Sequence, residues 1–356
     1  MKVVASAPGL GFAPPIAALA ALLGLVAVPW GGLAPGTLVA ARLSGVSFQR
    51  LGELSAVLSL PVFLICGFSA AAATVGARRA LGRAAELALA ASCLWIGIVA
   101  ANGLAGTAVA GVLGSLVGLA GTLALIRVRE GGLPRPTRPQ LRALAPYGAL
   151  VALLLLSRGL AAVARAMVAS PAGAVLSAAS WPAPWLLVAS VAATALTGIG
   201  DRALRSAARR SAFRLLPVAL TTLWFLAAGA LMAASGMSAA LAHAASRLGV
   251  GYVVAVPWLG GLGGFLTGSN TGANAMFAAA QAEAAAQLAY PVDWLLAFHN
   301  VSASLLTMAS APRVSLALSL VDREGPEPGL VRRLLITDAA VLALLSFLAA
   351  VATAGP

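Results

Sequence analysis

A chain of 356 residues that is 61% hydrophobic and only 9% charged, with a mean hydropathy of +0.97, is not a soluble domain, which carries about a quarter charged residues. Its formal charge of +13 does not make a nucleic-acid face, because the arginines fall in short clusters between apolar spans and not along one stripe. What remains is an all-α polytopic membrane bundle.

In chain order, the stretch 9–30, GLGFAPPIAALAALLGLVAVPW, reads as a first membrane segment. Only Lys2 precedes it as a charge and no small-residue cleavage site follows, which argues against a signal peptide. Further spans are predicted near 54–76, 84–104, 106–127, 143–163, 173–198 and 212–234, and a last one near 334–354. Between them lie Arg78, Arg79 and Arg83, then Arg127, Arg129, Arg135, Arg138 and Arg142, then Arg202, Arg205, Arg209, Arg210 and Arg214. A fourth cluster, Arg323, Arg332 and Arg333, precedes the last span. The loops at 77–83, 128–142 and 199–211 are separated by pairs of spans, so all three can be cytoplasmic at once, as expected of a multi-pass inner-membrane protein. Gly114, Gly118 and Thr122 place small residues at four-residue spacing, which suits close helix packing. The Pro- and Arg-rich run VREGGLPRPTRPQLR contains a linker, 129–142, between a first half, 1–128, and a second half, 143–356.

Enzyme chemistry has little to stand on. Cys66 and Cys93 lie inside predicted spans, the two histidines are far apart, and no HExxH, P-loop or GxSxG motif occurs. No metal site or cofactor is expected. The segment 238–320 does not parse as ordinary spans: Arg247, Pro257, a glycine series, Pro291, Asp293, His299, Asn300 and Pro312 interrupt it. Broken hydrophobic segments of this kind point to a transporter binding site.

Within that segment, residues 263–277 read GGFLTGSNTGANAMF. Thr267, Ser269, Asn270 and Thr271 sit together, Asn274 follows one turn later, and glycine recurs at 260, 264, 268 and 272. Lipid does not tolerate such backbone unless it is buried in protein or faces a water-filled cavity. The glycines at 260–268 are expected to allow a sharp turn, after which Ser269 or Asn270 caps a new helix through ANAMFAAAQ. The free N–H groups and positive dipole end of that helix would suit a carboxylate. Phe277 and Gln281 fall on the face of Asn274, whereas Glu283 is half a turn out of phase. A plain polar helix cap in a connecting loop is the alternative.

The run LGGLGGFLTGSNTGANAMFAAAQ, preceded by SGM at 235–237, resembles the signature of bacterial L-lactate permeases. The resemblance continues through Asn300, SAP at 310–312 and LVDREGPEPGLVRRLLI. It also takes in APYGALVALLLLSRG (145–159), GVSFQRLGELSAVLSLPVFLICGF (45–68) and PGLGFAPPIAALAALLGL near the start, which is similar to an earlier glycine-rich motif of the family. It implies a secondary transporter taking up lactate, and often glycolate, by proton symport. Broader relatives hold carboxylates at Ser-Asn-Thr tips of re-entrant hairpins; here that falls on Ser269, Asn270 and Thr271, flanked by Thr267 and Gly268, with Asn274 on the adjoining helix. The family is longer at its N-terminus, so this chain is expected to start just before the tip of its first hairpin. The stretch 31–40 looks abbreviated, and NGLAGTAVAG at 102–111 lacks the family's glutamate and proline.

Arg158 ends the run LLLLSR and either snorkels to an interface or pairs with substrate carboxylate; Arg313, after Pro312, has similar status. His299, Asp293 and Glu283 are the candidates for proton coupling, with Asp293 also suited to capping the helix WLLAFHN. Asp338 is expected near the cytoplasmic end of the final span. The expected partners are a small monocarboxylate, a proton and the lipid bilayer, with no nucleic acid and a homo-oligomer left open. Two rival readings are a permease for another organic anion and a truncated, non-transporting assembly partner.

Overall fold

The structure, a computed structural model, describes residues 12–132, 137–167, 175, 182–198, 200–321 and 327–354, and these form helices and short connections with no strand among them. The first five helices are α1 (Pro14–Leu23), α2 (Pro35–Ser44), α3 (Phe48–Leu58), α4 (Leu60–Val75) and α5 (Ala77–Gly82). Two long hydrophobic helices follow, α6 (Ala84–Ala105) and α7 (Thr107–Glu130), then α8 (Arg138–Ala166), α9 (Pro182–Thr197) and α10 (Asp201–Ala234). The remainder comprises α11 (Met237–Ser246), α12 (Val250–Thr267), α13 (Asn270–Gln287), α14 (Val292–Leu306), α15 (Ala311–Ser319) and α16 (Pro328–Ala354).

Among the described residues six helices are long and apolar enough to cross a membrane, and two bent pairs pass the same test jointly. The spans expected at 84–104 and 106–127 are α6 and α7. Those at 143–163, 212–234 and 334–354 lie within α8, α10 and α16. The span expected at 173–198 falls partly outside the described residues, and its remainder is α9.

Three expectations need correction. The span at 54–76 is two helices, α3 and α4, bent by 48° at Ser59, because Pro61 removes an N–H and fits only the first turn of a new helix. The stretch 9–30 is not one segment: α1 ends at Leu23, and a short 3-10 turn, Val28–Leu33, with non-helical Gly31 and Gly32, follows. The loop expected at 199–211 is helical from Asp201, whose carboxylate suits the positive N-terminal end of α10.

The chain divides into two compact units, Met1–Leu125 with Thr221–Pro356, and Ile126–Leu220. In the smaller unit α8 packs against α9. In the larger, α14 is the axle: every residue from Leu295 to Leu306 is buried, and α12, α13, α3 and α16 pack around it. Glycine makes one of these approaches possible, and also that of α7 to α6. A Cβ on Gly264 would run into the Ala303 carbonyl of α14, and one on Gly114 into Ile98 of α6, so the stripe expected at Gly114 and Gly118 does bring α6 and α7 together. Outward faces are strongly apolar, with Leu104 89% and Trp224 73% exposed, a surface suited to lipid.

Candidate binding site

The hairpin expected from GGFLTGSNTGANAMF is present, but it turns later than the glycine series suggests. Helix α12 runs unbroken through Gly260, Gly261, Gly263 and Gly264, whose bare backbones serve packing. The turn is made by Gly268 alone, at φ +62°, a left-handed conformation in which a side chain is strained. Ser269 is extended and is the N-cap of α13, its Oγ accepting from the Gly272 N–H at 3.2 Å. Thr267 braces the turn: its Oγ1 lies 2.8 Å from the carbonyls of Gly263 and Ser269 and accepts from the Ser269 N–H at 3.2 Å.

Behind the tip lies a buried polar network. Asn300 of α14 is fully buried, and its Oδ1 accepts from Asn270 Nδ2 and Asn274 Nδ2, both at 3.0 Å. Its Nδ2 donates to Thr37 Oγ1 of α2 at 3.1 Å and to Ser55 Oγ of α3 at 3.0 Å. Thr37 Oγ1 donates in turn to the Pro29 carbonyl at 2.8 Å, so it must accept from Asn300, which fixes the amide's orientation. A primary amide has two donors and two acceptor lone pairs. Asn300 uses all of them, joining four helices at one buried point. Asn274 Nδ2 also lies 2.9 Å from both Asn270 Oδ1 and the Asn270 carbonyl, so its two hydrogens are shared among three acceptors, while its own Oδ1 is buried without a partner among the described residues.

In front of the tip a cavity of about 380 Å³ opens. One wall is the turn from Gly24 to Gly36; the other is Ser269, Asn270, Thr271 and Arg313. Two helix N-termini meet there, those of α2 and α13. Gly36 lies so near Asn270 that a Cβ on it would stand 2.5 Å from the Asn270 Nδ2. The N–H groups of Asn270 and Thr271 belong to the first turn of α13 and have no intrahelical acceptor. Arg313 is the one cation among the lining residues, and its Nε donates to the Gly268 carbonyl at 3.3 Å. Two positive helix ends and a guanidinium around one cavity would suit a small anion.

The structure therefore sorts the expected residues. Ser269, Asn270 and Thr271 line the cavity, Thr267 and Gly268 shape its edge, and Asn274 stands behind it in the network. The Arg158 side chain lies outside the described residues. His299 is fully buried between the hairpin arms, edge-on to Phe277 with ring centroids 6.2 Å apart, and neither ring nitrogen has a side-chain partner among the described residues. Gln281, on the face expected, accepts from Tyr252 OH at 2.9 Å. Asp293 is not the N-cap of α14, a place held by Pro291; it sits in the first turn and pairs with Arg50 Nε at 3.0 Å. Burial and the Asp293 charge together push the nearby Tyr290 phenol above its ordinary pKa. Glu283 is exposed and accepts from Gln287 at 3.4 Å, away from the cavity. Thr37 and Ser55 are network members that sequence reasoning passed over, as single hydroxyls on apolar helices give no local signal.

The family model described as L-lactate permease matches residues 140–354. A stretch of 98 residues is 39% identical to the L-lactate permease of Escherichia coli strain K12, covering 28% of this chain and 18% of that protein. The L-lactate permeases of Salmonella typhi and of Salmonella typhimurium strain LT2 are 37% identical, also over 98 residues. These stretches amount to 18% of each relative's length, so the likeness is to a part of those proteins. No solved structure matches the chain.

Proposed function

Because the chain belongs to the L-lactate permease family and is a multi-pass inner-membrane protein, we propose that it is a secondary transporter that takes up L-lactate, or a similar small 2-hydroxy monocarboxylate such as glycolate, by proton symport. The observation that carries this reading is the cavity between the two helix N-termini, with Arg313 as the one cation among its described lining residues. The substrate carboxylate accepts from the N–H groups of Asn270 and Thr271 and from Arg313, while its 2-hydroxyl meets the hydroxyls of Ser269 and Thr271. Gly31, Gly32 and Gly36 leave part of the facing wall bare between Leu25, Val28 and Pro35, so a short acid can approach backbone there. A single cation suits one carboxylate; a dicarboxylate would want a second. Of the three proton-coupling candidates, His299 alone is fully buried, and it does not line the cavity. Asp293 is held by Arg50 and Glu283 faces outward.

Uptake of labelled L-lactate into proteoliposomes under an inward proton gradient tests the reading. Asn270→Ala is expected to abolish uptake while expression and membrane insertion persist, because it removes both a cavity wall and a link to Asn300. Unchanged uptake by this variant would sink the hairpin assignment. Competition by glycolate, sulfonates and dicarboxylates identifies the substrate class. A wild-type chain that neither binds nor moves any carboxylate is instead an assembly partner.

A further inference from the structure

Helix α16 carries one acid on its inner face. Asp338 is 1% exposed, and neither carboxyl oxygen has a hydrogen-bond partner among the described residues. It belongs to a stripe in which Leu330, Leu334, Val341 and Leu345, all buried, recur at helical spacing. Helices α12, α14, α4 and α1 pack against α16. Of their titratable groups, Tyr252 donates to Gln281, Asp293 pairs with Arg50, and His299 lies edge-on to Phe277. Helix α1 offers none. The buried Cys66 thiol of α4 is within electrostatic reach of the carboxyl, and among the described residues no cation offsets its burial.

A carboxylate with neither countercharge nor hydrogen bond is not tolerated in a dry interior; the neutral acid is. Asp338 fits this arrangement only as COOH. Along the same stripe a second cavity, of about 210 Å³, opens between α1 and the first turns of α16, lined by Ile16, Leu19, Glu327, Leu330 and Arg333 among others. Leu330 lies two turns from Asp338, about 12 Å along the axis at about 1.5 Å per residue, and Leu334 stands between them. The Arg332–Arg333 end of α16 is the end whose basic cluster reads as cytoplasmic.

We propose that Asp338 is the proton-binding site of the chain, opened to the cytoplasm through the cavity between α1 and α16. The site is loaded in the arrangement seen here. When Leu334 moves aside and water enters, the O–H bond breaks, the proton passes to water and a hydrated carboxylate remains. Return to the dry arrangement requires a new proton. That obligation ties proton binding to conformation, as symport demands, and to this extent the inference rests on the symport reading above.

Two measurements on the purified full chain separate the inference from that reading. Infrared spectra at neutral pH are expected to show a carbonyl stretch of a protonated carboxyl that Asp338→Asn removes and Asp338→Glu shifts without removing. Equal bands in wild type and Asp338→Asn overturn the inference whether or not the chain transports anything. In proteoliposomes, a gradient of about one pH unit drives about tenfold accumulation per proton carried. Asp338→Asn is expected to lower that accumulation about tenfold more than it lowers lactate–lactate exchange. Wild-type accumulation that the variant fully retains overturns Asp338 as the coupling site and leaves symport standing. A band lost in the variant of a chain that moves no lactate leaves the proton site standing and removes the transport reading.

Discussion

The turn from Gly24 to Gly36 and the turn from Thr267 to Asn270 face one cavity, yet only the second carries its own polar bracing. At the second, one left-handed residue, Gly268, reverses the chain, and side chains of Thr267 and Ser269 satisfy the backbone on either side. At the first, Gly32, Leu33 and Ala34 are all left-handed in succession, at φ +59°, +74° and +60°, and no side chain caps α2. Two of those three have a Cβ and are strained there. Strain of this kind persists only where surrounding structure imposes it. The imposing contacts are identifiable: Thr37 ties the turn to Pro29 and, through Asn300, to the opposite tip. One tip is braced by side chains of the turn itself, the other by Thr37 of the following helix and, through Asn300, by the rest of the bundle.

Asn300→Ala breaks this comparison most severely, because the first tip depends on Asn300 and the second also uses it. The substitution removes four side-chain hydrogen bonds. At about 0.6 kcal/mol for each interhelical bond in a membrane protein, the loss is about 2–3 kcal/mol. The thermal midpoint of the detergent-solubilised protein should fall and lactate uptake should vanish with it; an unshifted midpoint would show that the tips hold themselves. Gly36→Ala comes next. Its new methyl would meet Asn270 at 2.5 Å from Nδ2 and 2.9 Å from Cγ, so the tips must part. Overpacking of that kind costs about 1–3 kcal/mol. Substrate affinity, measured by tryptophan fluorescence or calorimetry, should drop more than stability does.

Much of this arrangement is legible in the sequence, and unevenly so. Composition alone yields an all-α membrane bundle, and the α6 and α7 spans are correct nearly to the residue because long uniform apolar runs leave little choice. The second tip is legible because its polar residues are contiguous: Thr267, Ser269, Asn270 and Thr271 stand out against hydrocarbon. The first is not, since Gly31, Gly32 and Ala34 are unremarkable among apolar neighbours. Their role depends on Asn300, more than 260 positions away. One signal does exist. The pentapeptide VAVPW occurs at 26–30 and again at 254–258, each time shortly before glycines that lead into a tip. That repeat likens the approach to 24–36 to the approach to the hairpin, and its first copy lies just before 31–40, the stretch that looks abbreviated against the family. Asp338 is illegible for a different reason: a lone acid near the start of a span reads as interfacial, and only packing shows it to be buried without a partner.

The smallest effects sharpen the comparison between tips by exchanging their turn residues. Gly268→Ala puts a methyl on a residue at φ +62°, where an L side chain costs about 1–2 kcal/mol. Ser310 Oγ, 3.1 Å from the new Cβ, leaves no room to relax. Ala34→Gly is the reverse exchange at φ +60°, and it relieves about the same conformational penalty. Against that stand the greater freedom of glycine in the unfolded chain, about 0.5–1 kcal/mol, and the loss of one fully buried methyl, about 0.8 kcal/mol. The opposing effects nearly cancel, so the thermal midpoint of Ala34→Gly should lie close to wild type while that of Gly268→Ala falls clearly. If the two variants fall alike, the first tip is not strained in the way its backbone angles imply. A marked rise for Ala34→Gly would instead mean that the buried methyl contributes little and that the strain is retained for a functional reason at the cavity wall.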